Sequence, residues 1–112
     1  MREYVLANLG ENISLKSAAS VACLSAAYFS TLFAKCVGEG FSIWLARQRV
    51  EEAARLLKEH NRSIAQVRVA VGFGGNARGF GRWFKRFMGE APRSYRARQR
   101  LHVHAQMERT EA

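Results

Sequence analysis

LSAAYFSTLFAKC, residues Leu24 to Cys36, decides the fold together with FGRWFKRF, residues Phe80 to Phe87, which repeats its pattern. In the first, Phe29, Leu32, Phe33 and Cys36 stand at i, i+3, i+4 and i+7, the spacing of one buried helical stripe. In the second, Phe80, Trp83, Phe84 and Phe87 repeat that spacing at a constant offset of 51 positions (80 − 29 and 84 − 33). The outward positions correspond as well: Ala27, Ser30, Thr31 and Ala34 in the first, Arg78, Gly81, Arg82 and Lys85 in the second. A helix apolar behind, with small, hydroxyl or Arg side chains in front, suits a DNA major groove. Two of them in one short basic chain set the expectation for everything around them.

Working outward, Arg2 to Leu9 carries Tyr4, Val5, Leu6 and Leu9, enough for a short amphipathic helix closed by Gly10. Ser14 caps a predicted helix from Leu15 to about Ala22, with Leu15, Ala18, Ala19 and Ala22 inward. Cys23-Leu24 makes a tight turn, and Ser25 caps the helix from Ala26 to about Val37. Helix, turn and helix at this length is a helix-turn-helix arrangement. After Gly38-Glu39-Gly40 a long helix is expected over about 42–60. Its inward stripe is Ile43, Ala46, Val50, Ala53 and Leu57; Arg47, Gln48, Glu51, Glu52, Arg55 and Lys58 lie mostly on the wet side, with Glu51 and Arg55 as an i, i+4 pair. At about 1.5 Å per residue it acts as a strut holding its flanks roughly 25–30 Å apart. Ser63 to Gln66 reads as a capping box opening a helix to Val71, ended by Gly72. The second outward-facing helix runs from about Ala77 to Met88, stopped by Gly89, and Pro92 opens a last helix to about Arg100 with a basic face. No segment alternates with period two. The fold class is all-α, with about seven helices: a first lobe over about 1–40, the linker helix, a second lobe over about 63–100, and a polar tail over 101–112 that frays.

The 112 residues suit one domain or two small lobes sharing a helix, and 48% hydrophobic residues suffice for a core. The net charge of +9 favours a polyanionic partner, nucleic acid ahead of a membrane surface. Eight of the eighteen basic residues lie between Arg78 and Arg100, against Glu90 alone. Cys23 and Cys36 are expected as buried thiols in a reducing cytoplasm rather than as a disulfide or metal site. His102 and His104 have no partners for a metal and read as solvated tail residues. No apolar run is long enough to cross a bilayer, and Met1 to Gly10 lacks a signal-peptide pattern.

These residues resemble the DNA-binding domain of the AraC/XylS family of bacterial transcription regulators. The resemblance rests on Ser14-Leu15, on Leu24-Ser25-x-x-Tyr28-Phe29-Ser30-x-Leu32-Phe33-x-Lys35, on Gly38-x-Gly40-Phe41, on Arg49-x-x-x-Ala53-x-x-Leu56-Leu57 and on Ser63-Ile64. Its most specific part is C-terminal: Val71-Gly72-Phe73, then Phe80-x-Arg82-x-Phe84-Lys85-Arg86, then Gly89-x-x-Pro92-x-x-Tyr95-Arg96. It spans about Tyr4 to Arg96 and marks 1–100 as an AraC-type DNA-binding domain. The resemblance implies two recognition helices entering successive major grooves on one face of double-stranded DNA. The base-reading positions it implies are Ala27, Ser30 and Thr31 in the first motif and Arg78, Gly79 and Arg82 in the second. Tyr28, Lys35, Arg49, Lys85, Arg86, Arg93 and Arg96 are the phosphate-contact candidates.

Four positions depart from the family pattern. Cys23 stands where a Gly is usual, Arg68 where a small Ala packs between helices, the loop Gly74-Gly75-Asn76 is longer than usual, and Gly79 and Gly81 sit inside the second recognition helix. These predict a second motif that is weakened in rigidity or that orders fully only on DNA. The expectation is a cytoplasmic, sequence-specific transcription regulator, monomeric in isolation, with RNA polymerase as a further partner and no cofactor or metal. A non-specific architectural DNA binder is the alternative, opposed by the paired reading faces. An enzyme is not expected: there is no Ser/His/Asp set, no paired carboxylates beside a nucleophile, and Gly72-Phe73-Gly74-Gly75 is not followed by the Gly-Lys-Ser/Thr of a phosphate loop.

Overall fold

The computed structural model describes the backbone of residues 1–59 and 61–111 and the side chains of residues 1–59 and 61–101. Among the described residues the chain is helical without strands: α1 (Arg2–Ala7), α2 (Leu15–Val21), α3 (Ala26–Val37), α4 (Phe41–Leu57), α5 (Ile64–Ala70), α6 (Ala77–Met88) and α7 (Pro92–Glu111). The caps form where the side chains call for them. Ser63 Oγ accepts from Gln66 N at 3.0 Å while Gln66 Oε1 accepts from Ser63 N at 2.8 Å, the reciprocal box expected from the sequence. Ser14 and Ser17 build a second such box on α2. Ser25 and Asn76 cap α3 and α6 without the return bond, each accepting from the amide three residues on.

Two cores flank α4. Val5, Leu9, Ile13, Ala18, Ala19, Phe29 and Phe33 close on Phe41 and Leu45 at its N-terminal end. Val67, Val71, Phe80, Phe84 and Tyr95 close on Val50, Ala53, Ala54, Leu56 and Leu57 at its C-terminal end. One helix therefore contributes to both lobes. That explains why its buried arc is wider than one stripe: Gln48, expected on the wet side, is buried, while Ile43 is only half-buried. Arg55 pairs with Glu52 and Glu59, three and four residues away, rather than with Glu51.

Other expectations are corrected. Leu32 and Cys36 complete the helical spacing of α3, yet both are exposed, because α4 covers only the Phe29 and Phe33 side of that helix. Cys23 is exposed too, at a turn apex, so neither thiol is buried. In α2, Ala18 and Ala19 are buried but Ala22 is not. Helix α4 ends at Leu57 rather than near residue 60, which lies outside the described residues. Helix α7 does not stop at about Arg100: its backbone runs on to Glu111, where a frayed tail was expected. The side chains of His102 and His104 lie outside those described.

Candidate nucleic-acid interface

Each motif turn brings a helix end round onto its recognition helix. In the first, Cys23 N donates to Ser20 O and Leu24 N to Ala19 O; in the second, Gly72 N donates to Val69 O and Phe73 N to Arg68 O. The bonding is the same, so positions 23 and 72 are equivalent, and both are left-handed (φ 60° and 100°). The penalty expected for Cys23 is therefore present in the backbone. From those turns to the N-caps, Ser25 and Asn76, the second loop is longer by two residues. It is nevertheless held: Arg68 Nε donates to Gly74 O at 2.8 Å and Asn76 N donates to Phe73 O. Arg68 thus neither parts the helices nor merely escapes to solvent; it pins the long loop. Gly79 has its own local reason. Asn76 Oδ1 accepts from Gly79 N at 2.9 Å, and a Cβ at residue 79 would lie 2.4 Å from that capping side chain. Arg68, the longer loop and Gly79, expected to loosen the second motif, are thus built into its cap and loop.

With their aromatic backs fixed, the two helices present their fronts. On α3, Ala27, Tyr28, Thr31 and Lys35 are exposed and Ser30 is half-buried. The Thr31 hydroxyl donates to Ala27 O at 3.1 Å, so it can offer a base only its lone pairs and its methyl group. On α6, Arg78, Arg82 and Lys85 fall at i, i+4 and i+7 and are exposed, and none is engaged in the ion pairs among the described residues. Those pairs instead use arginines elsewhere: Arg47 with Glu39, Arg55 with Glu52 and Glu59, Arg98 with Glu90. Three unpaired cations therefore stand together on the α6 front. Gly81 lies on the same face with open space around it.

The remaining phosphate-contact candidates divide. Arg93 is exposed at the start of α7. Arg86 is exposed but lies over the Trp83 ring, 5.2 Å from its centroid. Arg96 is buried and its guanidinium turns inward: Nε donates to Leu57 O and an Nη to Glu59 O, both at 3.2 Å. It satisfies carbonyls at the end of α4 and docks α7 there. Burial, then the nearby Arg100, pulls its pKa below the usual arginine range. Arg49 is half-buried between the lobes, Nη1 donating to Gly72 O and Nη2 to Glu11 O. Its pKa is also lowered by burial.

One surface escaped the sequence reading. Met1, Val21, Leu24, Leu32, Cys36 and Val37 line an apolar groove of about 410 Å³ beside α3. Val21, Leu32, Cys36 and Val37 are exposed along it.

A family model described as a helix-turn-helix domain matches residues 18–98. The uncharacterized helix-turn-helix-type transcriptional regulator YobQ of Bacillus subtilis (strain 168) is 37% identical over 93 residues, covering 83% of this chain and 38% of the relative. The chain spans well under half the length of the curated relatives it matches first. Among solved structures, the DNA-binding domain of the global transcriptional factor AdpA, determined with a target DNA, superposes with a TM-score of 0.83 at 30% identity, covering 89% of each chain. A transcriptional regulator of Chromobacterium violaceum, described as an AraC-type DNA-binding-domain protein, gives 0.77 at 26% identity, covering 87% of this chain and 86% of the other. Two turns of equal bonding, two capped helices with matching buried backs and one helix shared by both lobes now have a family to sit in: the chain belongs to the AraC-type helix-turn-helix family.

Proposed function

We propose that this chain binds double-stranded DNA sequence-specifically, with α3 and α6 in successive major grooves, and that it regulates transcription. The observation that carries this reading is the equivalence of the two helices. Each has buried aromatics behind, an N-cap that fixes its first turn, and an exposed front free of ion pairs. Arg78 and Arg82 offer forked donors to guanine, Ala27 and the Thr31 methyl offer apolar contact to thymine, and Ser30 offers a hydroxyl. Gly79 reads no base with a side chain; it lets the first turn of α6 close on Asn76. Tyr28, Lys35, Lys85, Arg86 and Arg93 supply the backbone contacts, which set register and salt dependence. Charge alone does not favour the non-specific alternative, because Ala27, Ser30, Thr31 and Ala34 on α3 are small or hydroxyl groups rather than cations. The proposal extends, on family resemblance, to contact with RNA polymerase in the cytoplasm.

Arg82→Ala tests the reading on a duplex the protein selects. One lost forked contact costs about 1–3 kcal/mol, about 5- to 150-fold in affinity. The expected result is that loss together with relaxed preference at one base pair. An equal loss on every sequence would make Arg82 a phosphate contact and remove it from the reading face.

A further inference from the structure

A continuous helix fixes how far apart two lobes sit along its axis, but not how each is rotated about it. In this chain the rotation is tied on both flanks of α4. On one flank, Arg49 Nη1 donates to Gly72 O in the turn of the second motif at 3.1 Å, while Nη2 donates to Glu11 O in the α1–α2 link at 3.3 Å. The two backbones meet there directly. A Cβ on Gly72 would lie 2.1 Å from Leu9 O and 2.9 Å from Arg49 Cζ, and one on Gly10 would lie 3.2 Å from Ala70 O. Arg49 Nε is buried with no hydrogen-bond partner. A desolvated donor left unmade is the sort of cost a structure keeps where it does something else. Two residues earlier, about 200° round the helix, Arg47 makes the second tie. It grips Glu39 of the first lobe through two hydrogen bonds of 3.1 Å and lies 4.6 Å from the centroid of Phe87 on α6. Phe87 in turn stacks on Trp83, 5.5 Å between centroids and 16° from parallel.

We infer that Arg47 and Arg49 are positioning residues that set the phase between α3 and α6, and so make the spacing of the two half-sites a determinant of specificity. This rests on the two-headed reading proposed above. It also gives Arg49 a different role from the phosphate contact expected from the family pattern. Moving a half-site by one base pair shifts it about 3.4 Å along the duplex and about 35° around it. A braced pair of helices cannot follow; an unbraced pair can.

The test is a series of duplexes in which the half-sites are closed or opened by one and two base pairs, plus each half-site alone. Affinities are measured for the wild type, Arg47→Ala, Arg49→Ala and the double variant at several salt concentrations, with thermal melts as controls. The wild type is expected to lose at least about tenfold for a one-base-pair shift. The double variant is expected to bind the best spacing more weakly, to lose less than about threefold per shift, and to keep its half-site affinity and salt slope. Arg49→Ala alone should flatten the profile part of the way. A wild-type optimum whose sharpness survives in the double variant overturns the brace and leaves the two-headed reading standing. A uniform loss with the salt slope reduced by about one makes Arg49 a phosphate contact and also overturns it. A wild type that engages a single half-site overturns both.

Discussion

Phe84→Ala isolates the second core. Phe84 is fully buried, its ring 5.8 Å from that of Phe80 and 5.4 Å edge-on from that of Tyr95. Truncating such a residue costs about 3–5 kcal/mol. A chain of 112 residues has about 6–17 kcal/mol in total. Shared between two cores, that loss consumes most of what the second holds. The protein carries its own reporters, for Trp44 packs against the first core and Trp83 against the second. Urea unfolding followed by fluorescence in Trp83→Phe and Trp44→Phe backgrounds therefore reads each lobe separately. The Trp83 signal should move down by on the order of 2 M urea or more, with the Trp44 signal moving less than half as far. Equal shifts of both signals would mean that the lobes unfold as one unit around α4. No shift would refute the placement of Phe84 in a core.

Three further perturbations follow from single contacts. Arg96→Ala strips the partner from two carbonyls at the end of α4 and should destabilise the protein by about 1–3 kcal/mol, read as a lowered melting temperature with DNA-binding salt slope unchanged. Cys23→Gly relieves a left-handed position and should stabilise by about 1 kcal/mol; a loss of stability would mean that the thiol makes a contact worth more than the strain. The Glu39 pKa is lowered, first by its hydrogen bond from Arg47, opposed by partial desolvation and helped by the charges of Arg47 and Arg86. The folded value is the depressed one, so its contribution is present above the ordinary carboxylate value of 4.5 and is lost as pH falls through the folded value. Melting temperature between pH 6 and pH 3 should fall less steeply in Glu39→Gln than in the wild type.

The helices, their caps and the exposed fronts of α3 and α6 were legible because each rests on local chemistry. A 3.6-residue stripe lies between a serine or asparagine cap and a terminal glycine 13 residues on (38 − 25 and 89 − 76). What was misread depends on which side a neighbour occupies. Leu32 and Cys36 share the stripe of Phe29 and Phe33, and only the position of α4 leaves them in solvent. Gln48 is buried because α4 serves two lobes, which no single amphipathic pattern records. Arg96 and Arg49 belong to a basic chain in which charge density points outward, yet their partners are backbone carbonyls 39 and 37, and 23 and 38, residues away. Arg68 stands where the family pattern has a small residue, and its partner, a carbonyl of a lengthened loop six residues on, depends on a turn that spacing alone does not specify.

Selection from a randomised duplex pool, sequenced after binding at low and at moderate salt, tests the central claim most directly. Two-headed reading predicts a bipartite motif with half-sites about one helical turn apart, sharper at the higher salt. A single enriched half-site would show that one recognition helix does not read DNA. No enrichment together with steep salt dependence would contradict the account and leave a basic chain that coats DNA without reading it.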